Sequence, residues 1–580
     1  MNANRMLNLF VGLSVIAAAW GAAGDSTLSA LPGELRALND AGEMIWRIQL
    51  PDSSVPVARS RADGLIALDN GLLVDAQGRP AARIHGEPML KLGGADAPWP
   101  SLCPAWALLA EVTPPSGDNQ SNSHGVPMFD RVGDAWVVNT HLDSGHYDLQ
   151  IRKSNGHDGT WGPLQTISNT TRYVAGPEGV IDCNDNITIV FRDIQSGYKL
   201  YAMRYEPGAG WTGPTLAYNT SAFFQSIETG VDVYGNVAAI FDPSDTVWSI
   251  VYDKETGAWG TATQISPPGY STILPTIISD KNESGMYVVY LVRSGGPVGL
   301  YANRYDSVTK TWGPAEMLPG SNAASFSTAG GSSRYPAAMN ADGEAAIFWQ
   351  SSSPRTINAN HTINGVWQPT EVLLPKSDYS ADLENFAHAA ADEVGTVFGI
   401  TTRYEDGQIH LYVFSRSRDG GEYDVANPYT YGFNVSTRCR IAPFRSNRQT
   451  ATFLAPQGGT SQITSLYHDC LGWRPDLYDI PVSYQAYFQE VAWDRGEPLL
   501  VFEAEEFIGD NFGIWASWFR NLPADINGDD VVNISDLADL LAHYGLTGEY
   551  PHDFDCDGDV DLADLSELLG EYGRTCNLGE

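Results

Sequence analysis

Two stretches near the C-terminus place oxygen-bearing side chains at every second position. One reads DINGDDVVNISDLADLLAHYG from Asp525, and the other DFDCDGDVDLADLSELLGEYG from Asp553, 28 residues later. A hard cation such as Ca2+ takes six to eight oxygens. A tight loop supplies them from positions 1, 3, 5, 7, 9 and 12, the seventh through its backbone carbonyl. The expected ligands are Asp525, Asn527, Asp529, Val531, Asn533 and Asp536 in the first stretch. In the second they are Asp553, Asp555, Asp557, Asp559, Asp561 and Asp564. Carboxylates crowded in this way repel one another without an ion, so folding here is expected to be linked to Ca2+. Asp530 stands where a glycine normally makes the turn, so the second loop is expected to bind more tightly than the first.

The spacing behind each loop predicts the helix that must hold it. Apolar residues recur at helical intervals as Leu537, Leu540, Leu541 and Tyr544, and again as Leu565, Leu568, Leu569 and Tyr572. Gly545 and Gly573 follow, placed for left-handed C-caps. No amphipathic helix precedes either loop, which separates the pattern from an ordinary EF-hand pair. Residues 521–580 therefore resemble the dockerin type I module, in which two loop–helix units pack together into a small all-α domain. The resemblance implies bound Ca2+ and a cohesin-type partner read at loop positions 10 and 11, here Ile534-Ser535 and Leu562-Ala563. Further down the helices, where dockerins often carry basic residues, this chain has Leu541-Ala542 and Leu569-Gly570. A purely structural or surface-anchoring calcium module is the alternative.

Ahead of this tail the chain is a repeat. Units such as LYAMRYEPGAGWTGPTLAY and LYANRYDSVTKTWGPAEML bring Trp161, Trp211, Trp259, Trp312 and Trp367 at intervals of 50, 48, 53 and 55 residues. Between them lie two-strand halves such as VIDCNDNITIVFRD and VDVYGNVAAIFD, in which apolar alternation is broken by a turn. Four strands per unit predict a mainly β fold, a seven- or eight-bladed β-propeller over residues 121–520. The repeated tryptophans are expected to pack between adjacent sheets. Residues 25–120, with the Asn-Gly hairpin of LIALDNGLLVDAQGRPAARI, are expected to complete a blade or form a cap.

The repeat resembles secreted sialidase-like and lectin-like propellers. SNGHDGTW at residues 154–161 is similar to their Asp-box turn, with Gly156 and Asp158 exchanged relative to that pattern. In a propeller the starts of the innermost strands surround the central channel, which points to His124, Arg172, Glu228, Arg334, Glu384 and Arg438. A sialidase needs an arginine cluster for the substrate carboxylate, and Arg172, Arg334 and Arg438 are the candidates. A stretch bearing His124, His141 and His146 resembles the first blade of propeller lyases that cleave uronic-acid polymers. There a His or Tyr removes the proton beside the carboxylate and an Arg or His neutralises the acid. The candidate catalytic residues are thus His124, His141, Arg172 and Arg334. Three functions stay open: a sialidase-like glycosidase, a polysaccharide lyase, or a non-catalytic binding propeller.

Composition narrows the partners. A net charge of −36 disfavours nucleic acid and anionic membrane surfaces. Residues 525–580 hold 15 acidic residues against the single basic Arg574, contributing −14 of it. Arg5, the apolar run from Leu7 to Trp20 and the small residues Gly21-Ala22-Ala23 predict a secretory signal over residues 1–24. The expected location is extracellular or at the cell surface, with a polysaccharide or glycan as ligand and no membrane span. The six cysteines form no CxxC pair, and Cys556 with Cys576 is the expected disulfide.

Overall fold

The structure, a computed structural model, describes seven strands between Ser26 and Arg83 by their backbone and most of residues 105–575. Segments such as 155–159, 169–173, 325–334, 376–384, 432–438, 527–530 and 555–558 lie outside the description, as does the expected signal segment.

Two compact units divide the chain near residue 100. The N-terminal unit contains a three-stranded antiparallel sheet, Ser26–Leu31, Glu34–Asn39 and Met44–Gln49, and a four-stranded one running from Pro56–Arg59 to Pro80–Arg83. The Asn-Gly hairpin is present in the second, where Ile66 pairs with Val74.

The second unit holds eight antiparallel sheets in succession. Their innermost strands are Ser123–Phe129, Val174–Ile181, Ile227–Val231, Ser271–Ser279, Ala337–Met339, Asn385–Ala391, Cys439–Pro443 and Gln485–Asp494. Each lies beside the next, and the eighth returns to the first, so the ring is closed. The seven-or-eight expectation resolves to an eight-bladed β-propeller. Blade 8 is completed from the other end of the chain: Ala105–Thr113 adds its outermost strand against Asn511–Arg520.

Three local devices explain the repeat. First, the hairpin joining strands one and two of a blade is organised by an Asp or Asn side chain that caps its own turn. Asp130, Asp182, Asp232 and Asn340 each accept backbone N–H groups two and four residues on, at 2.8 to 3.2 Å. The next residue but two is left-handed, a glycine in three of these four turns and Asp185 in blade 2. Asp185 is stabilised there by Arg131 of the neighbouring blade, whose N–H and Nε donate to it at 2.8 and 2.9 Å.

Second, the tryptophans staple each blade to the one before it. Trp211 packs into the core shared by blades 1 and 2, Trp312 donates to Ser249 Oγ of blade 3 at 2.9 Å, and Trp367 meets Tyr287 of blade 4 edge-on. Trp161 does the same across the closure, against Val112, Leu499 and Trp518. Third, innermost strands approach so closely that a side chain does not fit at some positions. A Cβ on Gly125 would lie 2.5 Å from Val501 Cγ1 of blade 8.

The even cysteine set does not pair throughout. Cys183 and Cys439 are free thiols, one in a hairpin turn of blade 2 and the other buried in blade 7. Burial pushes the Cys439 thiol up to about 12. Cys103, Cys470, Cys556 and Cys576 lie outside the described residues.

Candidate calcium loops and the channel face

The C-terminal module is built twice. Its helices are Ile534–His543 and Leu562–Glu571, and each starts on a capping box. Asn533 accepts the Ser535 N–H at 2.7 Å, while Asp536 reaches back to the Asn533 N–H at 2.8 Å. Asp561 and Asp564 repeat the arrangement, at 2.6 Å to Ala563 N–H and 2.7 Å to Asp561 N–H. The other oxygen of Asp564 accepts the Phe554 N–H. Loop positions 9 and 12 are thereby aimed by the backbone in both halves.

Reciprocal backbone pairs stitch the halves together. Val532 donates to Arg574 O at 3.0 Å and accepts from Gly573 N–H at 2.8 Å. Val560 donates to Leu546 O at 2.9 Å and accepts from Gly545 N–H at 2.7 Å. The bridges Val531–Thr575 and Thr547–Asp559 continue the pattern. Every partner in one half is the other half's partner shifted by 28 residues. Gly545 and Gly573 make these turns at φ of 81° and 84°, conformations glycine adopts without strain. A shared core of Ala524, Val532, Leu540, Phe554, Val560 and Leu568 lies between the helices.

Of the expected ligands, Asp525, Val531, Asn533, Asp536, Asp553, Asp559, Asp561 and Asp564 are described; Asn527, Asp529, Asp555 and Asp557 are not. Positions 1 and 12 of both loops are buried carboxylates: Asp525 is 8%, Asp536 0%, Asp553 6% and Asp564 0% exposed. Four buried acids in so small a core call for compensating positive charge, and an all-oxygen donor set fits Ca2+.

The helix stripes differ from expectation. Leu537, Leu540, Leu565 and Leu568 face the core, but Leu541, Tyr544, Leu569 and Tyr572 are about half exposed. Leu541 lies about 100° around the helix from Leu540, and two short helices facing only each other bury a single row. Ile534 and Leu562, at 64% and 66% exposed, extend the same face in each half.

In the propeller, two of the positions expected around the channel, His124 and Glu228, fall near the starts of innermost strands. His124 lies within Ser123–Phe129 and Glu228 within Ile227–Val231, while Glu384 and Arg438 directly precede Asn385 and Cys439. Ser123 pairs with Thr140, so the backbones of His124 and His141 share one end of blade 1. His146 opens the third strand of that blade, opposite Asp143. Arg172, Arg334, Glu384 and Arg438, and the side chains of His124 and His146, lie outside the described residues. Glu228 is buried, 4% exposed.

No family model matches the chain, and no curated protein matches its sequence. Solved structures overlap it loosely. A PL25 ulvan lyase bound to a glucuronate–sulphated rhamnose fragment shares 11% identity at a TM-score of 0.37, covering 62% of this chain and 95% of its own. The Dos1 propeller shares 11% at a TM-score of 0.43, over 70% and 95%. The intramolecular trans-sialidase of Ruminococcus gnavus shares 10% at 0.30, over 58% and 90%. The propeller assignment rests on the sheet order above.

Residues passed over in the sequence fill out this end of the propeller. Arg192 donates to Phe224 O at 2.9 Å, and Asp242 accepts the Ser226 N–H at 2.9 Å, anchoring the segment that enters blade 3. Burial holds the Arg192 guanidinium below its ordinary pKa. Arg403 fastens Pro375 O in the same way ahead of blade 6, at 2.7 Å. Their only signal was a charged residue closing an apolar strand. A cavity of about 10 Å³ beside His361 and Arg416, between blades 5 and 6, has room for one water molecule and no larger ligand.

Proposed function

We propose that this is a secreted, calcium-dependent protein whose propeller binds or processes an extracellular glycan and whose dockerin-like module attaches it to a partner. The observation that carries the reading is the reciprocal 28-residue pairing of two loop–helix units, with the carboxylates at positions 1 and 12 buried in both. Bound Ca2+ would neutralise those carboxylates and couple the order of each loop to its helix.

The duplicated exposed face supports attachment. Ile534, Leu541 and Tyr544 recur as Leu562, Leu569 and Tyr572, and apolar residues left in water in two equivalent places suit a protein partner. A cohesin-type module is the partner class proposed. The glycan assignment to the propeller is by analogy with proteins that pair such modules with lectin- or sialidase-like bodies. Within it, the register that brings His124 and His141 to one end of blade 1 favours a lyase acting beside a uronate carboxylate.

Calorimetric titration of the full chain with Ca2+, followed by a glycan array and an assay for unsaturated uronate, tests both halves. Heat from two sites and a new uronate absorbance are expected. No calcium-linked stabilisation would remove the module assignment, and silence across the array would remove the glycan reading.

A further inference from the structure

The two halves of the C-terminal module differ at one place that the calcium loops do not explain. In one half Glu571, 1% exposed, accepts the Ala524 N–H at 3.2 Å and pairs with Arg574 at 3.2 Å. Shifted by 28 residues, Glu571 and Ala524 become His543 and His552, and Arg574 becomes Leu546. The ion pair is lost, and the Glu571–Ala524 contact is replaced by two imidazoles stacked at 3.8 Å.

Asp539 stands one helical turn before His543, a spacing that puts both side chains on one face. Its carboxylate oxygens lie 3.4 Å from His543 Nδ1 and 3.6 Å from His552 Nε2. One donor atom from each of the three residues falls within 4.8 Å of the others. His552 is 4% exposed, and neither of its ring nitrogens has a hydrogen-bond partner among the described residues. A neutral imidazole carries one donor and one acceptor, and burying both unmet is costly. A metal ion on Nε2 would satisfy the acceptor.

We propose that Asp539, His543 and His552 form a binding site for a divalent transition metal of the Zn2+ or Co2+ type, separate from the calcium loops. Two imidazoles and one carboxylate are the donor set such ions take, whereas Ca2+ prefers oxygen alone. Three protein ligands leave one position open to water or to a group from a partner. Stacked rings cannot aim both lone pairs at one ion, so binding turns His543 out of the stack. That ring, a third exposed, turns at the cost of its Nδ1 hydrogen bond to Asp539 O at 2.9 Å, while buried His552 is the fixed anchor. The occupied site ties the segment entering the second loop, which begins at Asp553, to the first helix.

The test uses the untagged full chain saturated with Ca2+ and dialysed against Co2+, with cobalt and calcium counted per chain and the visible cobalt spectrum recorded. One cobalt ion is expected, displaced by Zn2+ and without a thiolate charge-transfer band. His543→Ala and His552→Ala should each weaken it by more than the roughly 100-fold cost of removing an outer-shell partner. Calcium content should stay unchanged, which shows that the module remains folded. Because His543 is partly exposed, its variant stands as the decisive one if His552→Ala unfolds. Absence of cobalt from the wild-type chain, or undiminished binding by His543→Ala at normal calcium content, overturns the proposal. Lost calcium binding with cobalt retained overturns only the calcium reading.

Discussion

Replacing Asp564 with alanine separates two roles that the structure and the calcium reading give to one carboxylate. The side chain is 0% exposed; one oxygen accepts the Asp561 N–H at 2.7 Å and the other the Phe554 N–H. Asp564→Ala leaves both donors without an acceptor, at about 1–3 kcal/mol each, so about 2–6 kcal/mol in chelator. A module the size of residues 521–580 holds about 3–9 kcal/mol in all, so most of its stability should go. Ca2+ at about 1,000 times its Kd adds about 4 kcal/mol per site, and the variant should keep only the first loop's share. Asp564→Asn keeps one acceptor oxygen and should cost about half as much in chelator while still losing the second site. Amide hydrogen exchange in the full chain, with Ca2+ and with chelator, reads both effects. Fast exchange is expected in both helices of the chelated alanine variant, because Val532 and Val560 each depend on the opposite half. Unchanged protection in chelator would refute the hydrogen-bond reasoning. Full calcium-induced protection of Leu562–Glu571 in Asp564→Asn would refute the ligand assignment.

Three perturbations probe the propeller. His361 is 8% exposed, and burial, with Arg416 nearby, pushes its pKa down to about 4. The unfolded chain then takes up a proton below about 6.5 that the folded chain refuses, and about 2 kcal/mol is lost by pH ~5. His361→Asn should flatten that acid slope in urea midpoints, and an equal slope would clear the imidazole. Gly125→Ala sets a Cβ 2.5 Å from Val501 Cγ1 and 3.0 Å from Ile514 Cγ2 of blade 8. Both neighbours are β-branched, so about 1–3 kcal/mol of overpacking should lower the melting temperature, and an unchanged value would mean that the closure relaxes freely. Trp312→Phe removes the bond to Ser249 Oγ between blades 3 and 4, worth about 1 kcal/mol. A double-mutant cycle with Ser249→Ala should recover that coupling, and purely additive effects would sink the staple.

Much of this protein was legible in the chain because it follows from covalent spacing. Alternate carboxylates, the apolar rows behind them and the glycines after them are local facts, and Asn533, Asp536 and Gly545 adopt the turn and cap geometry such spacing implies. The Asp or Asn of each hairpin caps its own turn within four residues, so the blade repeat could be read directly. The tryptophans needed only the periodicity to be placed between sheets.

Other features depend on surfaces that meet only after folding. The eighth blade exists because Ala105–Thr113 pairs with Asn511–Arg520, and no local pattern marks two strands from distant parts of the chain as neighbours. Leu541 and Leu540 are equivalent in hydropathy, and only the width of the core between two short helices leaves one exposed and the other buried. His552 reads as a lone histidine before the second acidic loop. Packing places it against Asp539 and His543 of the first helix, residues that nothing in the local spacing marks as its neighbours. Spacing along the chain determined the repeating parts, and the tertiary structure decided closure, exposure and the meeting of side chains, since those depend on which surfaces share a limited interior.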